Sequence, residues 1–149
     1  MSKVWLFDVN VMIAWLWPTH EAHKTASAWM NNHRLEPWAT CPITEMGFLR
    51  IVTNRSFSPI APKWAEAVRL LGKYTEGNAS HRFWPDSLTL VEIHKQFGSR
   101  ITGPNQITDA YLLSLAMQND GRLLTFDYKI EAIAPQGSPA RAALEILRI

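Results

Sequence analysis

The feature that most constrains this chain's fold is a short apolar run near its start, Val4-Trp5-Leu6-Phe7, which stops abruptly at Asp8 and Asn10. Large apolar residues in a row, without polar alternation, describe a strand buried on both faces, and such strands belong to parallel sheets covered by helices. Val11-Met12-Ile13-Ala14-Trp15-Leu16-Trp17 follows without an intervening Gly or Pro, so the chain is expected to turn straight into a buried helix. Asp8 then lies at the carboxyl end of a strand, where open α/β sheets place their ligands. A buried ionised carboxylate is costly unless a cation or hydrogen-bond donors compensate it.

Beyond Trp17-Pro18, Thr19 is placed to cap a second helix over 20–32, with Ala22, Ala26 and Trp29 at helical spacing. A strand over 38–40 leads into Cys41-Pro42, where Pro suits the first turn of a third helix reaching Val52. Residues 54–61 read as a loop, and Pro62 opens a fourth helix over 63–74. A strand over 81–84 follows, then a helix capped by Asp86 and stopped by Gly98. The helix over 105–119 is closed by Asn119-Asp120-Gly121 in the manner of a Gly C-cap. Strands over 122–126 and 144–149 complete the pattern. Strands alternating with helices predict a three-layer α/β/α fold with a mostly parallel central sheet.

The 149 residues, 47% of them hydrophobic, predict one domain spanning 1–149 with a full core. The apolar stretch over 4–17 is interrupted by Asp8 and Asn10, is too short to cross a bilayer, and has no small-residue cleavage site after it. A single Cys, Cys41, excludes an internal disulfide framework and a Cys-rich zinc site. A cytoplasmic protein without a membrane partner is the expectation. The formal net charge of +2 and pI near 8.9 point only weakly to nucleic acid.

The acids separate by the face they occupy. Glu45 is followed at helical spacing by Phe48, Leu49 and Val52, and Asp109 by Leu112, Leu113 and Ala116, so both face the core side. Glu66, beside Lys63, Arg69 and Lys73, reads as part of a solvated face, and Glu21 as a first-turn acid. Asp8 and Asp127 end buried strands, while Glu45 and Asp109 lie near helix starts; in a parallel sheet these positions share one rim. Carboxylates gathered there cannot all ionise near pH 7 without a cation, and oxygen ligands without imidazole or thiolate point to Mg²⁺, or Mn²⁺. Asn10, Thr108 and Thr125 are neighbours able to orient ligands or waters. Any one of these acids alone is more often a cap or an ion-pair member; the set carries the inference.

With those residues in view, the chain resembles the PIN-domain ribonucleases, and most closely the VapC-type toxins of bacterial toxin–antitoxin pairs. The resemblance runs through Leu6-Phe7-Asp8-Val9-Asn10, Pro42-Ile43-Thr44-Glu45-Met46-Gly47-Phe48-Leu49-Arg50, Ile107-Thr108-Asp109-Ala110-Tyr111-Leu112-Leu113 and Leu124-Thr125-Phe126-Asp127. Asp8, Glu45, Asp109 and Asp127 fall on the family's acidic quartet, and Asn10 and Thr125 on its supporting polar positions. The resemblance implies a metal-dependent endoribonuclease that forms a homodimer and is silenced by a cognate VapB-like antitoxin. Its site would hold one or two Mg²⁺ ions, chiefly through Asp8 and Asp109 with help from Glu45 and Asp127, and water attack would leave a 5′-phosphate and a 3′-hydroxyl. A PIN nuclease of RNA processing and a non-enzymatic antitoxin- or operator-binding component are the alternatives. A phosphoacceptor receiver leaves the two helix acids unexplained, a haloacid-dehalogenase-like phosphatase expects an acid where Asn10 stands, and a dinucleotide binder needs a Gly-rich first turn.

Setting the four acids aside leaves nine against 15 Lys and Arg, an excess of six positive charges outside the site, as an RNA substrate requires. Arg50, Arg55, Lys63, Arg82 and Arg100 are candidate phosphate contacts, each equally readable as a solubilising charge. Of the seven Trp, most read as core; Trp38, Trp64 and the loop residue Phe57 are the ones open to base stacking. His20 and His23, three apart, have no nearby acid or Cys of matching geometry and read as a surface helix start.

Overall fold

The computed structural model describes residues 3–149. The elements in chain order are β1 Trp5–Phe7, α1 Val9–Leu16, α2 His23–Asn32, β2 Trp38–Thr40, α3 Pro42–Val52, α4 Trp64–Thr75, β3 His81–Phe83, α5 Leu90–Phe97, α6 Ile107–Gln118, β4 Arg122–Thr125, α7 Pro139–Ala142 and β5 Leu144–Ile146. The strands form one all-parallel sheet in the order β3-β2-β1-β4-β5. Side chains alternate across it as the pleat demands. Trp5, Phe7, Trp38 and Leu124 join Phe48, Val52, Ala67 and Leu71 of α3 and α4 in one core cluster. Leu6, Ala39, Leu123 and Leu144 join α5 and α6 in the other. Helices therefore cover both faces, and the expected three-layer α/β/α arrangement is the one found.

Chain direction reverses its march across the sheet between β1 and β4: β2 and β3 are added on one side, β4 and β5 on the other. Such a switch point opens a crevice beyond the strand C-termini. Asp8 and Asp127 follow the two strands that flank it.

Three local expectations are corrected. Thr19 is not the cap of α2; the helix starts at His23, with the preceding turn held by Ala22 N–H donating to His20 Nδ1 at 3.0 Å. Asp86 is not the cap of α5; Thr89 is, accepting from Glu92 N–H at 3.1 Å while Thr89 N–H donates to Glu92 Oε2 at 2.7 Å. That reciprocal pair satisfies two helix-end donors at once, which a lone Asp further out cannot. At the end of α6 it is Asp120, not a glycine, that takes the left-handed conformation (φ 51°). Gly121 is needed for a different reason: a Cβ there would lie 2.5 Å from the Val4 carbonyl and 2.8 Å from the Trp84 ring. Among the described residues no helix is long and apolar enough to cross a membrane.

Candidate active site

Asp8 sits at the hinge between β1 and α1. Its N–H still pairs with the Leu124 carbonyl at 3.0 Å, continuing the sheet, while its Oδ1 accepts from Val9 N–H at 2.8 Å as the N-cap of α1. Oδ2 accepts from the Thr125 hydroxyl at 2.7 Å. Thr125, fully buried at the end of β4, is itself saturated, because its Oγ1 accepts from Asn10 Nδ2 at 3.2 Å and from Asp127 N–H at 3.1 Å. Asn10 closes the network by accepting from Phe126 N–H at 3.2 Å. Asn10 and Thr125 are thus the polar braces that tie β1–α1 to the end of β4.

Asp127 Oδ1 accepts from Lys129 N–H at 3.0 Å, turning the chain after β4. Asp109 stands in the first turn of α6, on the same rim. Burial, then repulsion from Asp8 and from Asp127, pushes the Asp109 carboxyl up to about 6. Asp8 is also raised, by burial first and with Asp127 adding to it, against the lowering effect of the Thr125 and Val9 hydrogen bonds. Three aspartates from three separate segments are therefore close enough to oppose one another's charge.

Glu45 lies one strand away, in the first turn of α3, and its Oε2 accepts from the Thr40 hydroxyl at 2.6 Å. Its helix approaches α1 through Gly47, where a Cβ would come within 2.6 Å of Val9 Cγ2. Only glycine lets the first turns of α1 and α3, which carry Val9 and Glu45, pack this closely. Neither Gly47 nor the Thr40 contact was anticipated from sequence; the Glu-x-Gly spacing is the one local signal for the former. Asp8, Asp109 and Asp127, with Glu45 one strand along the same rim, are the residues that could hold a cation. Among the described residues, no group of three or more His, Cys, Asp or Glu closes around an ion position.

The remaining expectations divide. Thr108 is exposed and has no hydrogen bond to these carboxylates. Arg50, Arg55, Lys63, Arg82 and Arg100 are all exposed, and among the described residues none forms an ion pair. Arg82 turns back onto the carbonyls of Ala79 and His81, and Arg100 reaches the Ile133 carbonyl at 3.3 Å. Trp64 is exposed. Trp38 is buried against Phe7 at 5.1 Å and presents no open face, while half-buried Phe57 packs against Trp17 with ring centroids 5.3 Å apart. His23 Nδ1 bonds the Ala14 carbonyl at 2.9 Å and fixes α2 to α1, a structural use.

The PIN domain family matches residues 5–135. The chain belongs to the PIN-domain family. Within it the match is to VapC-type ribonucleases: Ribonuclease VapC39 of Mycobacterium tuberculosis is 38% identical over 132 residues, covering 89% of this chain and 94% of that protein. Ribonuclease VapC44 of the same organism is 39% identical over 134 residues, 89% of this chain and 92% of that protein. The crystal structure of VapBC2 from Rickettsia felis bound to a DNA fragment from their promoter includes a chain that matches with a TM-score of 0.64, covering 97% of this chain and 99% of that one, at 15% identity. At that identity the likeness shows the PIN fold.

Proposed function

We propose that this PIN-domain protein is the toxin of a toxin–antitoxin pair, an Mg²⁺-dependent endoribonuclease that works in the cytoplasm as a homodimer and is silenced by a VapB-like antitoxin. The observation that carries this reading is the convergence of Asp8, Asp109 and Asp127 on the crevice between β1 and β4, where their charges oppose one another. Mutual repulsion with no basic partner among the described residues is the condition a divalent cation relieves, and an all-oxygen donor set suits Mg²⁺ or Mn²⁺. Asp8 and Asp109 are assigned as the principal holders, with Asp127 and Glu45 assisting. When bound, the ion would supply Lewis acidity at the scissile phosphate and lower the pKa of a water.

The protein's part is orientation. Val9 N–H and the Thr125 hydroxyl each occupy one oxygen of Asp8, so the carboxylate cannot rotate freely. Asn10 holds Thr125 in turn, and the same hydroxyl fixes the backbone of Asp127. Rigid support of this kind is what a preorganised site for a charged transition state needs. In-line attack of water on the RNA phosphodiester would leave a 5′-phosphate and a 3′-hydroxyl, with surface Lys and Arg attracting the polyanion. The names of the VapC relatives support an RNA target and a toxin role.

The test is incubation of total RNA with the purified protein in Mg²⁺, in chelator, and with Asp8→Asn in parallel. Discrete fragments bearing 5′-phosphates, formed only by the wild type in Mg²⁺, are expected. Cleavage that survives chelation, or that Asp8→Asn retains in full, contradicts the assignment.

A further inference from the structure

A second polar chain lies on the β2 side of the rim and touches no residue of the Asp8 network. Thr40 ends β2 fully buried, and its hydroxyl donates to Glu45 Oε2 at 2.6 Å. The same oxygen lies 2.8 Å from His81 Nε2, the first residue of β3. Register explains the meeting: His81 pairs with Trp38, two residues before Thr40 and on the same face of the pleat, with the Trp38 and His81 rings 4.7 Å apart. A threonine hydroxyl has one proton, and here it is given to the carboxylate. The imidazole must therefore donate to Thr40 Oγ1, which places the His81 proton on Nε2 whenever the ring is neutral. Burial and the neighbouring Arg82 hold the imidazole below its ordinary value, favouring that neutral form above pH 7. Glu45 Oε1 receives no hydrogen bond among the described residues.

We propose that Thr40 and His81 are positioning residues that act in series, His81 Nε2–H to Thr40 and Thr40 O–H to Glu45, to fix the fourth carboxylate with Oε1 free for the site. This rests on the nuclease reading for its consequence, though not for its geometry. Neither residue touches substrate; each acts through Glu45. The pair explains why a histidine opens an edge strand whose next two residues, Arg82 and Phe83, are exposed.

Two measurements decide it. In the first, 15N NMR of the full-length, metal-free protein reads the His81 tautomer: Nε2–H is expected, and Nδ1–H overturns the series whatever the enzyme does. The second compares cleavage by Thr40→Val, Thr40→Ser, His81→Leu and His81→Gln across a Mg²⁺ titration, with folding checked by circular dichroism. Thr40→Val should lose on the order of 10-fold in kcat and need more Mg²⁺ for half-maximal rate, with KM for RNA little changed. Thr40→Ser, which keeps the hydroxyl, and His81→Gln, which keeps a donor near the Nε2 position, should recover most of the rate. Adding His81→Leu to Thr40→Val should cost little more, because both break one chain. A folded Thr40→Val with wild-type kcat and Mg²⁺ dependence overturns the proposal. A wild-type protein that cuts no RNA removes the nuclease reading, while the tautomer still decides the hydrogen-bonded series.

Discussion

At the ends of β1 and β4, three aspartates lie close enough to repel; at the end of β2, a single glutamate meets a threonine hydroxyl. Asp8 and Asp109 are both raised, by burial and by their neighbours' charge. Glu45 is instead given a neutral donor at 2.6 Å. The same rim thus contains a region that works against folding in the absence of a cation and a region where the protein itself supplies a hydrogen bond to one carboxylate oxygen. Evolution of a binding site commonly leaves this mark, since groups arranged for a charged ligand are poorly arranged for one another without it.

The sharpest way to break the contrast is Asp109→Asn. Cleavage should fall by on the order of 100-fold or more, while the metal-free protein becomes more stable. The sign follows from linkage: a carboxyl raised from 3.8 to about 6 binds its proton more tightly when folded, so its contribution is present at low pH and is lost as pH rises through about 6. Melting curves in chelator should therefore show the advantage of Asp109→Asn over wild type growing as pH rises from about 4 to about 6 and levelling off above that. An advantage that is constant or reversed would mean the carboxylates do not oppose one another.

Thr125→Val should be next in size, with a loss on the order of 10–100-fold in activity or metal affinity. It also unties Asp8, Asn10 and the Asp127 backbone together, at a cost of about 1–3 kcal/mol in stability read from chemical denaturation. Unlike Asp109→Asn it should lower activity and stability in the same direction, which separates a brace from a ligand.

The smallest expected effect is at Gly47→Ala. The added methyl meets Val9 Cγ2 and should cost about 1–3 kcal/mol, with a modest loss of cleavage as the α3 and α1 first turns are pushed apart. Equal stability to wild type would mean that Val9 gives way, and that the junction carrying Glu45 is looser than the contact implies.

Much of this was legible in sequence for a physical reason. Doubly buried strands are apolar runs, so the polar residues that terminate them, Asp8 and Asp127, stand out, and helical periodicity marks Glu45 and Asp109 as inward acids. The bounds of β2 and α3 were readable because Trp38-Ala39-Thr40 is followed at once by Pro42. What was hidden depends on register and close approach. Nothing in the chain joins His81 to Thr40 until β3 is laid beside β2, and Gly47 is one small helical residue until α1 is packed on it. The start of α5 was misread despite Thr89-x-x-Glu92 being present, because a Pro-Asp pair upstream offered a competing cap. Trp38 looked exposable at a segment start, yet it joins Phe48, Val52, Ala67 and Leu71 of α3 and α4 in the core on one face of the sheet, even in a three-residue strand.

The central claim is that Asp8, Asp109 and Asp127 together await a divalent cation, and thermal unfolding with and without Mg²⁺ tests it without any substrate. An ion bound only by the folded state stabilises it by about 2.7 kcal/mol at 100 times its dissociation constant. Wild type should melt at higher temperature in Mg²⁺, and the double variant Asp8→Asn/Asp109→Asn should melt high in chelator and gain nothing from Mg²⁺. An equal Mg²⁺ shift in wild type and double variant, or none in wild type at saturating ion, would contradict the account.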